Sequence, residues 1–174
     1  MFPQSTVLQN VLIGLHLKLE TRLLSQLARI VFRIRGFYNR ENWAISKAME
    51  IIESLGLREQ RNELARNLPL ADQRKLEICI ALATDPELLL LDEPAAGIPV
   101  HELTKLTSQL KILHAKGMTI ILVDHNMKFV MNLCQRIVAL HHGAKIAEGT
   151  PVDIVSNPEV RRIYLAQESS YARN

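Results

Sequence analysis

The sequence predicts an α/β chain, in which a helical segment (residues 1–84) precedes a segment built around two parallel strands (residues 85–174). Three observations support this fold class. Apolar residues recur at helical spacing through the first segment, a short run of leucines follows it, and a second apolar run rich in β-branched residues lies one helix further on. Strands separated by a helix pair in parallel through a right-handed crossover, so we expect a strand–helix–strand unit in the second segment.

Helices are expected throughout the first segment because its apolar residues follow the helical period. They lie near residues 7–15, 20–35, 45–55 and 72–84. The sequence FYNREN is expected to interrupt the helical pattern. Gly56 is expected to end the third helix, because glycine is the residue that most readily follows a helix C-terminus.

The strands of the second segment are expected at residues 87–92 and 118–124. Both are short continuous apolar runs, a pattern typical of strands that are buried on both faces. Between them, leucines at helical spacing predict a helix that ends at Gly117. These leucines are Leu103, Leu106, Leu110 and Leu113.

The last part of the sequence predicts a helix, a hairpin and two short helices. Asn126 is suited to capping the first of these helices, and RIVALHHGAKIAEG predicts a β-hairpin with Gly143 in its turn. Thr150 and Asn157 are each followed by a proline, and a capping residue before a proline is typical of a helix start. These two pairs predict the helices that close the chain.

Composition limits the class of protein. The chain of 174 residues carries a net charge of +3, an excess too small to indicate nucleic-acid binding. Its two cysteines, Cys79 and Cys134, fall in helical patterns and are expected to be buried thiols. Charged residues interrupt every long apolar run, and the first residues lack the features of a secretory signal, so a cytoplasmic location is expected.

One set of basic residues is spaced to share a helix face. A solvated face is the simpler interpretation, and contact with lipid headgroups or with acidic loops of a membrane partner is the alternative. The residues are Arg22, Arg29, Arg33 and Arg40.

Two acids, Asp92 and Glu93, stand at the end of the first predicted strand. Ligands of open parallel sheets bind at the carboxyl ends of the strands. A carboxylate there can hold Mg²⁺ through water, and a second one can orient or deprotonate the attacking water in nucleotide hydrolysis. The alternative is an exposed acidic turn that Pro94 completes.

The acids belong to a longer stretch with a specific resemblance. LLLLDEPAAG, the helix before it and the strand that ends at Asp124-His125 occur in the order found in ABC-transporter nucleotide-binding subunits, where LLLLDEP would be the Walker B strand. With TVLQNVLIG (6–14) and NPEVRRIYL (157–165), the chain resembles the ATP-binding subunits of branched-chain amino acid importers. The resemblance implies an incomplete P-loop NTPase fold of the ABC type, with a helical subdomain before a parallel core and a C-terminal hairpin and helices.

Residue roles follow from that resemblance. Asp92 would position Mg²⁺ through water, Glu93 would be the general base or water-orienting carboxylate, and His125 would contact the γ-phosphate of ATP. Subunits of this family work in pairs on the inner face of the cell membrane, bound to permease subunits. ATP, Mg²⁺, a second ABC ATPase subunit and a membrane permease are therefore the implied cofactors and partners.

The phosphate-binding loop of the family, called Walker A, is not found in this sequence. None of the seven glycines belongs to a G-x-x-x-x-G-K-[ST] sequence, which would supply backbone amides and a lysine to the phosphates. In the family this loop lies upstream of the helical subdomain, so the sequence is expected to start just inside that subdomain. A second departure is Pro99, which stands where the family has an acid or an amide.

The signature motif, LSGGQ in many members of the family, also departs from the pattern. Proline stands at the serine position, where it offers no backbone N–H and no hydroxyl. An aspartate stands near the expected phosphates, where its charge is unfavourable unless it is neutralised. The aligned residues are Leu68, Pro69, Leu70, Ala71 and Asp72, followed by Gln73.

Two functions stay open. The first is the ATP-binding subunit of an ABC importer for branched-chain amino acids, whose signature segment acts on the ATP of a partner subunit. The second is a non-enzymatic regulatory or degenerate partner that binds a permease or a complete ATPase subunit. In either case the isolated chain is expected to bind ATP weakly or not at all, because no loop in the sequence can hold the phosphates.

Overall fold

The computed structural model describes residues 1–19 and 36–165. The chain divides into two compact units, Met1–Val123 and Asp124–Asn174. The predicted division at residues 84 and 85, which follows the subdomains of the resembled family, stays a prediction.

Within the described residues, the first unit consists of α-helices, a 3₁₀ turn and two strands. In chain order these are α1 (Val7–Leu19), α2 (Gly36–Ser54), the 3₁₀ turn (Ala65–Asn67), α3 (Leu70–Ala83), β1 (Leu88–Asp92), α4 (Val100–Ala115) and β2 (Thr119–Val123). None of the described helices combines the length and the apolar character that a membrane span requires.

Helix α1 packs against α2 and α3. Val7 and Val11 are fully buried, as the helical spacing predicts. A Cβ atom at Gly14 would lie 2.8 Å from the carbonyl oxygen of Ile80 and 2.9 Å from the Cβ atom of Ala83. Glycine at this position therefore allows the close approach of α1 and α3.

The predicted interruption at FYNREN is wrong, because α2 runs from Gly36 to Ser54 without a break. The six residues contain neither proline nor glycine, so nothing in the backbone prevents them from continuing a helix. Gly56 follows the end of α2 with a φ of +71°, as expected. The helix expected at residues 20–35, and with it Arg22, Arg29 and Arg33, lies outside the described residues, as does the side chain of Arg40.

Strands β1 and β2 pair in parallel, with Leu88 opposite Thr119 and Asp92 opposite Val123. This pairing confirms the strand–helix–strand unit, and the four leucines of the predicted stripe on α4 are all buried.

The expectation that both faces of the strands are buried is wrong. Leu89 and Leu91 are 3% and 8% exposed, whereas Leu90 is 68% exposed and Ile121 is 49% exposed. Among the described residues only one face of the pair is covered. Since neighbouring side chains of a strand point to opposite faces, a continuous apolar run here alternates between buried and exposed positions.

The second unit contains, among its described residues, a helix, a hairpin and short helical turns. They are α5 (Met127–Leu133), β3 (Ile137–His141), β4 (Ala144–Gly149), α6 (Pro151–Ser156), α7 (Pro158–Val160) and a π-helical turn (Arg161–Leu165). The hairpin turn has positive φ at both His142 and Gly143, as a type I′ turn requires. Thr150 caps α6 through a capping box with Asp153, and Asn157 caps α7, so both predicted helix starts are confirmed.

The two cysteines differ in exposure. Cys79 on α3 is fully buried, and burial raises the pKa of its thiol to about 12. Cys134 is only partly buried, and burial raises its pKa as well. Both are free thiols, and the prediction of full burial holds for Cys79 alone.

Candidate nucleotide-binding site

Asp92 is the last residue of β1, and its side chain lies on the exposed face of the strand pair. A groove of about 160 Å³ beside it is lined by Arg74 and Glu77 of α3 and by Leu90 and Pro94. Small-molecule sites usually occupy about 300–1,000 Å³. The groove therefore accommodates at most part of a nucleotide.

Glu93 has a backbone conformation that a non-glycine residue rarely adopts, with a φ of +47°. Its N–H donates to the carbonyl oxygen of Val123 at 2.8 Å, and its own carbonyl oxygen accepts from the N–H of Ala96 at 3.1 Å. The first bond extends the β1–β2 ladder by one residue and the second closes a turn. A left-handed residue costs about 1–2 kcal/mol, so the surrounding structure holds Glu93 in this conformation.

His125 belongs to the second unit, where it precedes the helix cap formed by Asn126. The side-chain oxygen of Asn126 accepts from the backbone N–H of Phe129 at 3.0 Å. The backbone N–H of Asn126 donates to Oδ1 of Asp124 at 2.8 Å. These bonds fix the start of α5 directly after His125, which is exposed. The predicted cap at Asn126 is therefore confirmed.

The segment aligned with the signature motif forms the start of α3. Pro69 takes the N-cap position, and its carbonyl oxygen accepts from the N–H of Asp72 at 3.0 Å and from the N–H of Gln73 at 2.9 Å. The side-chain amide of Gln73 donates to the carbonyl oxygen of Leu68 at 2.8 Å. Leu70 is exposed and Ala71 is buried. The helix thus begins at the aligned segment even though its sequence departs from LSGGQ.

A buried lysine, which the sequence patterns did not reveal, neutralises Asp72. The Nζ atom of Lys75 donates to Asp72 at 2.9 Å and to Glu102 of α4 at 2.9 Å. Glu102 also accepts from Lys105 at 2.7 Å. The spacing of Asp72 and Lys75 along a predicted helix could have suggested their pairing. Glu102 is distant in sequence, so no local pattern could have identified it.

The pKa values of Lys75 and Glu102 are shifted in the directions that pairing between these groups produces. Burial of Lys75 disfavours its charge, but hydrogen bonds and charges from Asp72 and Glu102 outweigh that effect and raise its pKa. Hydrogen bonds from Lys105 and Lys75 lower the pKa of Glu102 to about 2. Lys75 and Glu102 are therefore both charged at neutral pH.

The loop after Glu93 contacts the start of α3. Gly97 has a φ of +72°, and a Cβ atom built on it would lie 2.8 Å from Cδ2 of Leu70. Pro99, which departs from the family pattern, occupies the N-cap position of α4, and its carbonyl oxygen accepts from the N–H groups of Glu102 and Leu103. The proline therefore starts a helix at this position.

The described residues fit only part of a site for ATP and Mg²⁺. Asp92 offers an exposed carboxylate at a strand end, which suits Mg²⁺ bound through water. Glu93 follows it in a distinct backbone conformation. The sequence contributes no G-x-x-x-x-G-K-[ST] loop for the phosphates. The described residues therefore offer candidate groups for the metal and for the attacking water, but no Walker A loop for the phosphates.

Comparison with known proteins identifies the family. The sequence matches the family model described as ABC transporter over residues 1–96. This match covers more than half of the chain, so the chain belongs to the ABC transporter family. A second model, described as branched-chain amino acid ATP-binding cassette transporter, matches residues 144–165.

Two curated relatives share this similarity along nearly the whole chain. The high-affinity branched-chain amino acid transport ATP-binding protein LivG of Escherichia coli K12 is 39% identical over 170 residues, and its Pseudomonas aeruginosa counterpart BraF is 37% identical over 172 residues. Each alignment covers 96% of this chain and 64% of the relative. The chain thus spans slightly less than two thirds of the length of these relatives.

Solved structures support the fold assignment. The ADP conformation of MJ1267, an ATP-binding cassette of an ABC transporter, has a TM-score of 0.72 and 28% identity over 94% of this chain and 63% of that one. A nucleotide-free ATP-binding cassette has the same TM-score and identity over 93% of this chain. The fold is therefore part of a P-loop NTPase fold of the ABC type, as predicted.

Proposed function

We propose that this chain provides part of the ATP-binding subunit of an ABC importer for branched-chain amino acids. The likeness to LivG and BraF over 96% of the chain supports this transport class. In this role the protein binds permease subunits and works at the inner face of the cell membrane. A second ABC ATPase subunit is its partner in ATP binding.

The conformation of Glu93 is the observation that carries the proposal. Strained backbone persists where the surrounding structure over-determines it, and it clusters at functional positions. Glu93 lies directly after the strand end that carries Asp92, and two backbone hydrogen bonds hold it in place. We assign to Asp92 the positioning of Mg²⁺ through water and to Glu93 the orientation of the attacking water. His125 is assigned the contact with the γ-phosphate.

The phosphates themselves need groups that this sequence does not supply. The open face of β1 and β2, with Leu90 and Ile121 exposed, is suited to cover by further parts of an ABC domain. The segment Leu68–Gln73 needs no phosphate-binding loop of its own, because in the proposed pair it acts on nucleotide held by the other subunit. This segment can therefore contribute to ATP binding without a Walker A loop in this chain.

Association with a complete relative tests this function. The chain is mixed with LivG of Escherichia coli, and complex formation is followed by analytical ultracentrifugation with Mg²⁺ and either ATP or ADP. We expect a mixed complex in ATP and little complex in ADP. Lys111→Gln, at an exposed position on α4, is the control that leaves association unchanged. Equal association in ATP, ADP and no nucleotide would contradict the proposal.

The second candidate is a non-enzymatic partner of a permease or of a complete ATPase subunit. Pro69 favours it, because it replaces the serine hydroxyl that contacts phosphate in the family, and Asp72 favours it, because its negative charge is unfavourable near phosphates unless it is neutralised. This candidate predicts binding to LivG or to the permease that does not depend on ATP. The ultracentrifugation experiment therefore distinguishes the two functions.

A further inference from the structure

Two histidines meet at the turn of the hairpin formed by β3 and β4. His141 is the last residue of β3 and is paired with Ala144 of β4. His142 and Gly143 therefore form a two-residue turn. Neighbouring residues of a strand point their side chains to opposite faces, yet the imidazole rings of His141 and His142 lie against each other, with centroids 4.2 Å apart and planes at 58°. The contact is possible because His142, with a φ of +47°, has left the strand conformation.

The turn alone gives no reason for a histidine at its first position. A two-residue type I′ turn needs positive φ at both of its residues, and asparagine, aspartate or glycine is preferred at the first one. Gly143 supplies the preferred residue at the second position. His142 therefore brings an imidazole to a place where the backbone favours a smaller side chain, and the imidazole itself needs an explanation.

Both imidazoles are open to a ligand. Within the part of the chain that the structure describes, neither ring forms a hydrogen bond or an ion pair. His142 is exposed and His141 is partly exposed. A Cβ atom added at Gly143 would meet no heavy atom within 4 Å beyond its chain neighbours, so the tip of the turn faces open space. A hydrated cation can therefore reach the ring nitrogens.

The chemistry of the pair suits a divalent transition cation. Imidazole nitrogen is a ligand of Zn²⁺, Ni²⁺ and Cu²⁺, whereas Mg²⁺ and Ca²⁺ prefer oxygen. A zinc ion binds imidazole nitrogen at about 2.0–2.1 Å, so two nitrogens on one tetrahedral ion are about 3.4 Å apart. Rings with centroids 4.2 Å apart can each present one nitrogen at that separation after small rotations of the side chains. The two histidines therefore have the spacing to share one ion.

The surroundings of the pair set the kind of binding. Among the described residues, no group of three or more His, Cys, Asp or Glu side chains is placed to hold a metal ion. The pair thus offers two protein ligands, and water would complete the coordination. Lys145, two residues after the turn, bonds to Glu148 at 2.9 Å, so a carboxylate compensates its positive charge. An exposed site with two protein ligands binds an ion reversibly, unlike the closed four-ligand sites of structural zinc.

We propose that His141 and His142 form a binding site for one divalent transition cation, such as Zn²⁺, at the turn of the β3–β4 hairpin. The ion is held by one nitrogen of each ring and joins the end of β3 to the first residue of the turn. The site belongs to the second unit of the chain. It uses none of the residues assigned to ATP hydrolysis, so it goes beyond the proposed function and does not rest on it.

Isothermal titration calorimetry with ZnCl₂ tests the site on the full chain, prepared without a polyhistidine tag. We expect saturable binding of Zn²⁺ that excess Mg²⁺ does not displace. His142→Asn removes one imidazole but keeps a residue that the turn prefers, so it should weaken Zn²⁺ binding on the order of tenfold or more while the hairpin stays folded. His141→Gln should weaken binding to a similar extent. His101→Gln is the matched control and should keep the wild-type affinity, since His101 is an exposed histidine of α4 outside the pair.

The imidazole signals in NMR spectra locate the bound ion among the six histidines of the chain. We expect Zn²⁺ to shift the signals that are missing in His141→Gln and in His142→Asn and to leave the others unchanged. Circular dichroism shows whether each variant is folded, and His142→Gly, which the turn also accepts, replaces His142→Asn if that variant does not fold.

Two outcomes would overturn the inference. One is that the wild-type chain shows no saturable binding of Zn²⁺. The other is that His142→Asn, or His142→Gly in its place, binds Zn²⁺ as tightly as the wild type. Neither result bears on the proposed function, which is tested separately by ATP-dependent association with LivG.

Discussion

Substitution of Gly97 by alanine tests the contact between the loop after Glu93 and the start of α3. An alanine at φ of +72° adopts the left-handed conformation, which costs about 1–2 kcal/mol. Its Cβ atom would also lie 2.8 Å from Cδ2 of Leu70. Leu70 is 46% exposed, so it can rotate away, and a displaced rotamer costs about 0.5–1.5 kcal/mol. We expect a total loss of about 1.5–3.5 kcal/mol in the free energy of unfolding.

Urea unfolding at constant m-value measures this loss. Gly117→Ala is the control, because Gly117 has a φ of +99° and no heavy atom within 4 Å of an added Cβ atom. The Gly117→Ala variant is expected to lose only the unfolding free energy that the left-handed backbone conformation of alanine costs. In the Leu70→Ala/Gly97→Ala variant the steric contribution disappears, so this variant should unfold at higher urea than the individual losses predict. A double variant whose loss equals the sum of the two single losses would refute the contact.

Two further predictions follow from the same unit of the chain. Since the pKa of Glu102 is lowered to about 2 in the folded state, its contribution to stability is present above its ordinary pKa and is lost as the pH falls towards 2. In Glu102→Gln the free energy of unfolding, measured by urea unfolding at several pH values, should therefore fall less steeply between about pH 5 and pH 2 than in the wild type. An unchanged pH dependence would contradict the pairing of Glu102 with Lys75 and Lys105. Leu91→Ala should cost about 2–4 kcal/mol, whereas Leu90→Ala should change the unfolding free energy by less than about 0.5 kcal/mol. Equal losses in these two variants would show that the exposed face of β1 is covered in solution.

Local chemistry made most of the fold predictable. The capping residues Asn126, Thr150 and Asn157 start helices where the sequence predicts them, because a side-chain oxygen that accepts a first-turn N–H is a local signal. The parallel pairing of β1 and β2 was predictable because a helix of known length separates two apolar runs. These features depend on neighbours in sequence.

Features that depend on distant neighbours were not predictable. Leu90 and Ile121 have the sequence pattern of buried strand residues, and their exposure depends on which elements cover each face of the sheet. Lys75, which pairs with Asp72, has a second partner in Glu102, and the rest of α3 and the strand β1 separate these two residues in the chain. The left-handed conformation of Glu93 is imposed by its bonds to Val123 and Ala96. The sequence suggested the candidate acids, and only the structure showed how they are held.

The binding of ATP by the isolated chain tests the central claim, which is that this chain carries the acids of an ABC site but no G-x-x-x-x-G-K-[ST] loop for the phosphates. A fluorescent ATP analogue is titrated into the full chain with Mg²⁺, and LivG of Escherichia coli, titrated in the same buffer, serves as the positive control. We expect saturable binding by LivG and no saturable binding by this chain. Sub-micromolar binding by the isolated chain would contradict the account, because this chain would then hold the phosphates without a Walker A loop.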